Sequence, residues 1–104
     1  MVIKKINGSS VEYSFKTIKR INVKNANRIK FKVLRGIANP KINNIIIDLK
    51  GLDFMDTFGA KVLITLRKFA RRKQKKFILK NISPDFQEIF NLLKIDKDFE
   101  VIKN

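Results

Sequence analysis

Apolar positions change period several times along the chain, and each change marks an element. Val2 to Ile6 alternates weakly and is rich in β-branched residues, Asn7-Gly8 is a tight-turn pair, and Val11, Tyr13 and Phe15 alternate with polar residues. That pattern predicts a β-hairpin with a half-buried second strand. Ala26, Ile29, Val33 and Ile37 then recur at helical spacing, with Leu34 beside them. Asn22 or Asn25 is placed to cap this helix and Asn39-Pro40 to stop it. Arg28, Lys30, Lys32 and Arg35 fall mainly on its solvated side.

The run Asn44-Ile45-Ile46-Ile47-Asp48-Leu49 is apolar on consecutive positions, which predicts a central strand covered on both faces. Gly51 ends it. Residues 52–59 read as a loop leading into a second helix over 58–72, whose stripe is Val62, Leu63, Leu66, Phe69 and Ala70. Phe77-Ile78-Leu79 is another short strand. Ser83-Pro84 is an N-cap followed by a proline at the first helical position. Phe86, Ile89, Phe90 and Leu93 form a third stripe, and Phe99 to Ile102 a last edge strand. The order β-β-α-β-α-β-α-β predicts one α/β domain over residues 1–104. Its mixed sheet starts with an antiparallel hairpin and continues with parallel strands joined by amphipathic helices.

Composition narrows the chemistry. A chain of 104 residues with 44% hydrophobic residues can bury one core. It has no Cys and no His, which excludes disulfides, thiolate nucleophiles, imidazole metal ligands and His-based triads. The N-terminus has no apolar signal region, and no apolar run approaches the ~20 residues of a membrane span, so a cytoplasmic location is expected. The net charge is +15. It invites a nucleic-acid or anionic-membrane partner, yet a chain rich in Lys, Ile and Asn together also arises from AT-rich coding. Charge alone does not identify the function.

Asp48, Asp53 and Asp56 crowd one short stretch at the C-terminal end of the expected central strand, where ligands collect in α/β sheets. Thr57 follows at the start of a helix, and Gly59 leaves the backbone there approachable. Three readings fit. Asp56 or Thr57 caps the helix; the carboxylates hold Mg²⁺; or Thr57 accepts a phosphoryl group, which adds about −1.5 to −2 charges beside Asp56. Farther on, Arg67, Lys68, Arg71, Arg72, Lys73, Lys75 and Lys76 form a basic run. It is either an interaction patch or the solvated, dipole-favoured end of a helix. Phe69 and Phe77 fall on the expected core stripe and strand, which argues against a base-stacking platform.

The stretch Asn44 to Leu63, NIIIDLKGLDFMDTFGAKVL, resembles the central signature of the STAS domain. In that pattern a hydrophobic strand ends in Asp-Leu and is followed by Asp-Ser-Ser/Thr-Gly and an amphipathic helix. Asn81-Ile82-Ser83-Pro84 and Leu92 to Phe99 resemble the family's later segments. The resemblance is strongest over 44–102 and loose before 40.

It implies an anti-sigma factor antagonist. The sequence offers no nucleophile–base pair, cofactor motif or metal set, so no enzymatic activity and no cofactor are expected. The implied partner is an anti-sigma factor of the GHKL serine-kinase type, and a phosphatase resets the cycle. By position, Asp56 matches the motif Asp, Thr57 the phosphoacceptor and Gly59 the motif Gly. The partner surface expected from this is Asp53, Phe54, Asp56, Thr57, Phe58 and Gly59, joined by Lys61 and Thr65 on the helix. The sequence departs from the pattern with Thr at the acceptor and Phe58 after it. Two alternatives remain: a non-switching STAS subunit of a membrane-associated or lipid-transport complex, and a basic nucleic-acid binder, whose affinity would fall steeply with salt.

Overall fold

In the computed structural model, which describes residues 1–102 with the side chain of Asp98 excepted, the hairpin pairs β1 (Val2–Asn7) with β2 (Ser10–Phe15). Its turn lies one residue later than Asn7-Gly8 suggests. Asn7 pairs with Ser10 in the ladder, and Gly8 takes the left-handed corner at φ 61°. Then follow β3 (Arg20–Ile21), α1 (Ala26–Ala38), β4 (Asn44–Asp48), β5 (Phe54–Met55), α2 (Thr57–Arg72), β6 (Lys76–Lys80), α3 (Pro84–Leu92), a 3₁₀ turn (Asp96–Asp98) and β7 (Glu100–Ile102). Lys103 and Asn104, which close the expected domain, lie outside the described residues.

The main sheet has the order β1-β2-β4-β6-β7, antiparallel at the hairpin and parallel thereafter. This is the expected mixed α/β architecture. Register explains the core. Val11, Ile45 and Phe77 form one cross-strand row and Tyr13, Ile47 and Leu79 the next. All six are buried on one face with the stripes of α1 and α2. The opposite face carries Glu12, Ile46, Ile78 and Lys80, where Lys80 pairs with Glu12 at 3.3 Å.

Ile46 is only half-buried, so β4 is covered by helices on one face, not both. The unbroken Ile run misled because long polar side chains from neighbouring strands, not a second helix layer, shade the other face. Gly36 lets α1 settle onto β2: a Cβ there would stand 2.3 Å from the Tyr13 hydroxyl oxygen. That hydroxyl donates to the Lys32 carbonyl at 3.2 Å.

At the far end Ser83 accepts from the Phe86 amide at 3.1 Å, starting α3. Phe86, Phe90, Phe99 and Phe77 then chain ring to ring at 5.2, 5.4 and 6.2 Å between neighbours, within the range of favourable aromatic pairs. Phe69, expected in the α2 stripe, is instead 38% exposed. It lies on the flank of the stripe, and α1 does not cover it fully. Leu93 is likewise exposed, because α3 ends at Leu92 before its stripe can continue.

Candidate functional site

The stretch read as a plain loop contains a strand. β3 and β5 form a separate two-stranded parallel sheet with Arg20 opposite Phe54 and Ile21 opposite Met55. The Asp53 amide donates to the Lys19 carbonyl at 2.7 Å and the Asp56 amide to the Ile21 carbonyl at 3.1 Å. Residues 53–56 are thereby bolted to the segment before α1. Asn22 and Asn25 organise that segment rather than capping α1 by side chain. The Asn22 carboxamide oxygen accepts from the Lys24 amide, and Asn25 accepts from the Asn22 amide and donates to the Arg20 carbonyl, each at 2.8–2.9 Å.

The helix α2 begins at the end of this platform. Asp56 is its N-cap, with Oδ1 accepting from the Gly59 amide at 2.8 Å. The capping reading of Asp56 therefore holds, and it leaves Thr57 at the first helical position, exposed. Gly59 is buried, and its place is steric. A Cβ there would stand 2.8 Å from both the Ile21 carbonyl oxygen and the Ile21 Cγ2. Only glycine lets the first turn of α2 lie against β3, so Gly59 positions the Thr57 turn from behind.

The three carboxylates do not converge. Asp48 Oδ1 accepts from the Lys50 amide at 3.0 Å and from the Asn81 carboxamide at 2.9 Å, on the open face of the sheet. Asp53 is exposed, and Asp56 is engaged by its cap. Among the described residues no three acids stand close enough to hold a metal ion, so the Mg²⁺ reading of this cluster has no geometric basis.

Around Thr57 the surface is apolar to an unusual degree. Phe54 is 45% exposed and Phe58 39%. A groove of about 300 Å³ runs beside them, lined by Phe54, Met55, Asp56, Thr57, Ile89, Leu92 and Leu93. Lys61 is exposed one turn along. Thr65 is half-buried, and its hydroxyl donates back to the Lys61 carbonyl at 2.8 Å, which occupies it within the helix.

The α3 contribution to this groove, Ile89, Leu92 and Leu93, was absent from the residues expected at the site. One signal for it existed: Leu92 lies off the apolar stripe of its helix, and such a residue needs another partner. The arrangement offers a hydroxyl at a helix N-terminus, where added negative charge is favoured. Exposed aromatic rings of the kind that anchor protein interfaces surround it.

The fold is similar to that of several solved proteins. An anti-sigma-factor antagonist (STAS) domain protein from Planctomyces limnophilus superposes with a TM-score of 0.87 at 19% identity, over 99% of this chain and 89% of that one. The Bacillus cell fate determinant SpoIIAA, in its phosphorylated form, gives 0.77 at 16% identity, over 100% and 91%. The murine anion transporter Slc26a9 gives 0.78 at 17% identity, over 96% of this chain and 17% of that one. At these identities the likeness is one of fold. The sequence model of the STAS domain matches residues 3–104, nearly the whole chain, and the protein belongs to the STAS domain family.

Proposed function

We propose that this protein is an anti-sigma factor antagonist. It is not itself an enzyme. It binds an anti-sigma factor that is also a kinase, of the GHKL type, and is released when that kinase phosphorylates Thr57. The observation that carries the proposal is the position of Thr57: exposed at the first turn of α2, capped by Asp56 and bordered by Phe54, Phe58 and the groove against α3. The family, and the fold likeness to proteins described as anti-sigma factor antagonists, support it.

The mechanism follows from where the charge would go. The Thr57 hydroxyl oxygen attacks the γ-phosphorus of ATP, its proton passes to a base of the kinase, and ADP leaves. The helix N-terminus tolerates the new phosphate, so the domain stays folded. A partner whose apolar side chains fill the groove also covers Thr57, and burying a charged group without a counter-charge costs several kcal/mol. Asp56 adds like charge at the same edge. Phosphorylation thus acts by making the bound state expensive, not by refolding the domain.

Pull-down from native lysate tests this, with wild type and Thr57→Glu as baits at roughly 0.3 M salt to screen the basic surface. The expected result is a GHKL-type kinase retained by wild type and lost by Thr57→Glu. Equal retention by both baits would overturn the switch and point to a constitutive STAS subunit.

A further inference from the structure

We propose that the outer face of α1 and α2, away from the sheet, docks on an anionic lipid bilayer. The charge of the chain is segregated. No Asp or Glu occurs between Glu12 and Asp48, or between Asp56 and Asp85. These two stretches contain both helices. α1 carries Arg28, Lys30, Lys32 and Arg35, and α2 carries Lys61, Arg67, Lys68, Arg71 and Arg72, against no carboxylate on either. Among the described residues the ion pair is Lys80 with Glu12, on the opposite face of the sheet. Glu100 on β7 stands near Arg67 and Arg71 at one flank; the remaining cations of the two helices repel one another, and an anionic surface would relieve that repulsion.

The helices present this layer together. Both cross from the C-terminal to the N-terminal ends of parallel strands, so they run in the same direction on one side of the sheet. Lys75, just past α2, donates from Nζ to the Ile37 and Asn39 carbonyls at 2.5 and 2.6 Å. That contact holds the C-terminal ends of the two helices at one level. Arg35, Lys68, Arg71 and Arg72 therefore lie toward that end, opposite the end that carries Thr57, spread from the β1 side, where Arg35 sits, to the β7 side, where Arg71 sits.

Exposed aromatics select among anionic partners. Phe31 is 61% exposed on α1, and Phe69 is half-exposed on α2. A duplex backbone gives exposed Phe nothing to bury against. Base stacking needs a free ring face, and the Arg72 guanidinium sits over the Phe69 ring at 5.7 Å from its centre. Phe flanked by Lys and Arg is the composition of surfaces that lie in a membrane interface: the ring enters the headgroup boundary while the cations meet anionic lipid. Among the described residues no helix is long and apolar enough to cross a membrane, so the contact is peripheral.

The test is co-sedimentation with vesicles of phosphatidylcholine alone, or with about 30% phosphatidylglycerol, at roughly 0.1 M salt. Wild type is expected on the phosphatidylglycerol vesicles only. Lys68→Gln/Arg72→Gln should weaken partition roughly 25-fold, at about fivefold per cation near the surface. Phe31→Ser/Phe69→Ser, with the net charge intact, should weaken it by about tenfold. Phe31→Ser alone, at the more exposed position, serves if the double variant melts early. Lys5→Gln, on the opposite face of the sheet beside Glu12 and Lys80, should change it less than about twofold by its distance from the helix face. Equal losses from the β1 and α2 charge variants, indifference to both Phe variants, or no binding to phosphatidylglycerol vesicles would each overturn the proposal. So would displacement by single-stranded DNA that depends on Phe31 and Phe69.

Discussion

Asp56 stands at the junction of the platform and α2, and its two contributions there separate by substitution. One is a hydrogen bond: Oδ1 accepts from the Gly59 amide at 2.8 Å, satisfying a donor that the first turn otherwise leaves open. Replacing such a cap with alanine costs about 1 kcal/mol, within roughly 0.5–2. The other is charge at the positive end of the helix, worth about 0.3–1 kcal/mol. Asp56→Ala loses both, about 1–2 kcal/mol in all. Asp56→Asn keeps an acceptor oxygen and loses only the charge.

At about 4–8 °C per kcal/mol for a domain of this size, alanine should lower Tm by about 5–15 °C and asparagine by no more than about 8 °C. Equilibrium urea unfolding provides the check, with a lower midpoint for alanine and an unchanged slope for both. Equal loss in the two variants would mean that charge, not the bond to Gly59, holds the turn. A changed slope would mean that the variant altered compactness, and the cap argument would fall with it.

Gly59→Ala should destabilise despite alanine's better helix propensity. The propensity gain is at most about 1 kcal/mol, whereas the new methyl meets a backbone carbonyl that cannot rotate away, and overpacking costs about 1–3 kcal/mol. Amide shifts confined to Ile21, Asp56 and the first turn of α2 would locate the strain, and a variant as stable as wild type would refute it. Tyr13 is the sole tyrosine and there is no Trp, so its ionisation is optically clean. Burial raises its pKa above the ordinary 10.0, with a backbone hydrogen bond opposing. The folded value exceeds the unfolded one, so this group's stabilisation is complete below about pH 10 and is lost as pH rises through the folded value. An absorbance titration of the folded protein with a midpoint at or below the ordinary value would contradict that. Thr57→Glu should leave vesicle binding within about twofold of wild type, because screening isolates the two ends of α2.

Legibility in the sequence tracked how local the physics was. The helices were legible because caps and periodicity lie within a few residues: Ser83-Pro84 starts α3 and Asp56 starts α2. The Ile45 to Ile47 run announced a strand but not its second face, since cover there depends on Lys5, Glu12 and Lys80 from other strands. β3 and β5, at two residues each, have no period to read, and they exist because Ile21 and Met55 are buried where distant segments meet. Around the candidate site, the cap that Asp56 places on α2 and the start of the helix at Thr57 are legible from motif and position. The groove is not, because its far wall comes from Ile89 and Leu92 on a helix remote in sequence. Phe69 was misplaced for the opposite reason: its spacing fits the stripe, but its angle puts it on the flank.

The charge of +15 gains meaning only once it is located. Asp53 and Asp56 lie at the N-terminal end of α2 and Arg71 and Arg72 at its C-terminal end, each sign where the helix dipole favours it. Sixteen residues separate those ends, about 24 Å at 1.5 Å per residue. That is about three Debye lengths at physiological salt. A phosphate on Thr57 would therefore change the potential over the groove and leave almost unchanged the potential at Lys68 and Arg72. One helix can in this way carry a switched contact at one end and a constant one at the other. The release of a protein partner then need not release the domain from a surface held by its cations.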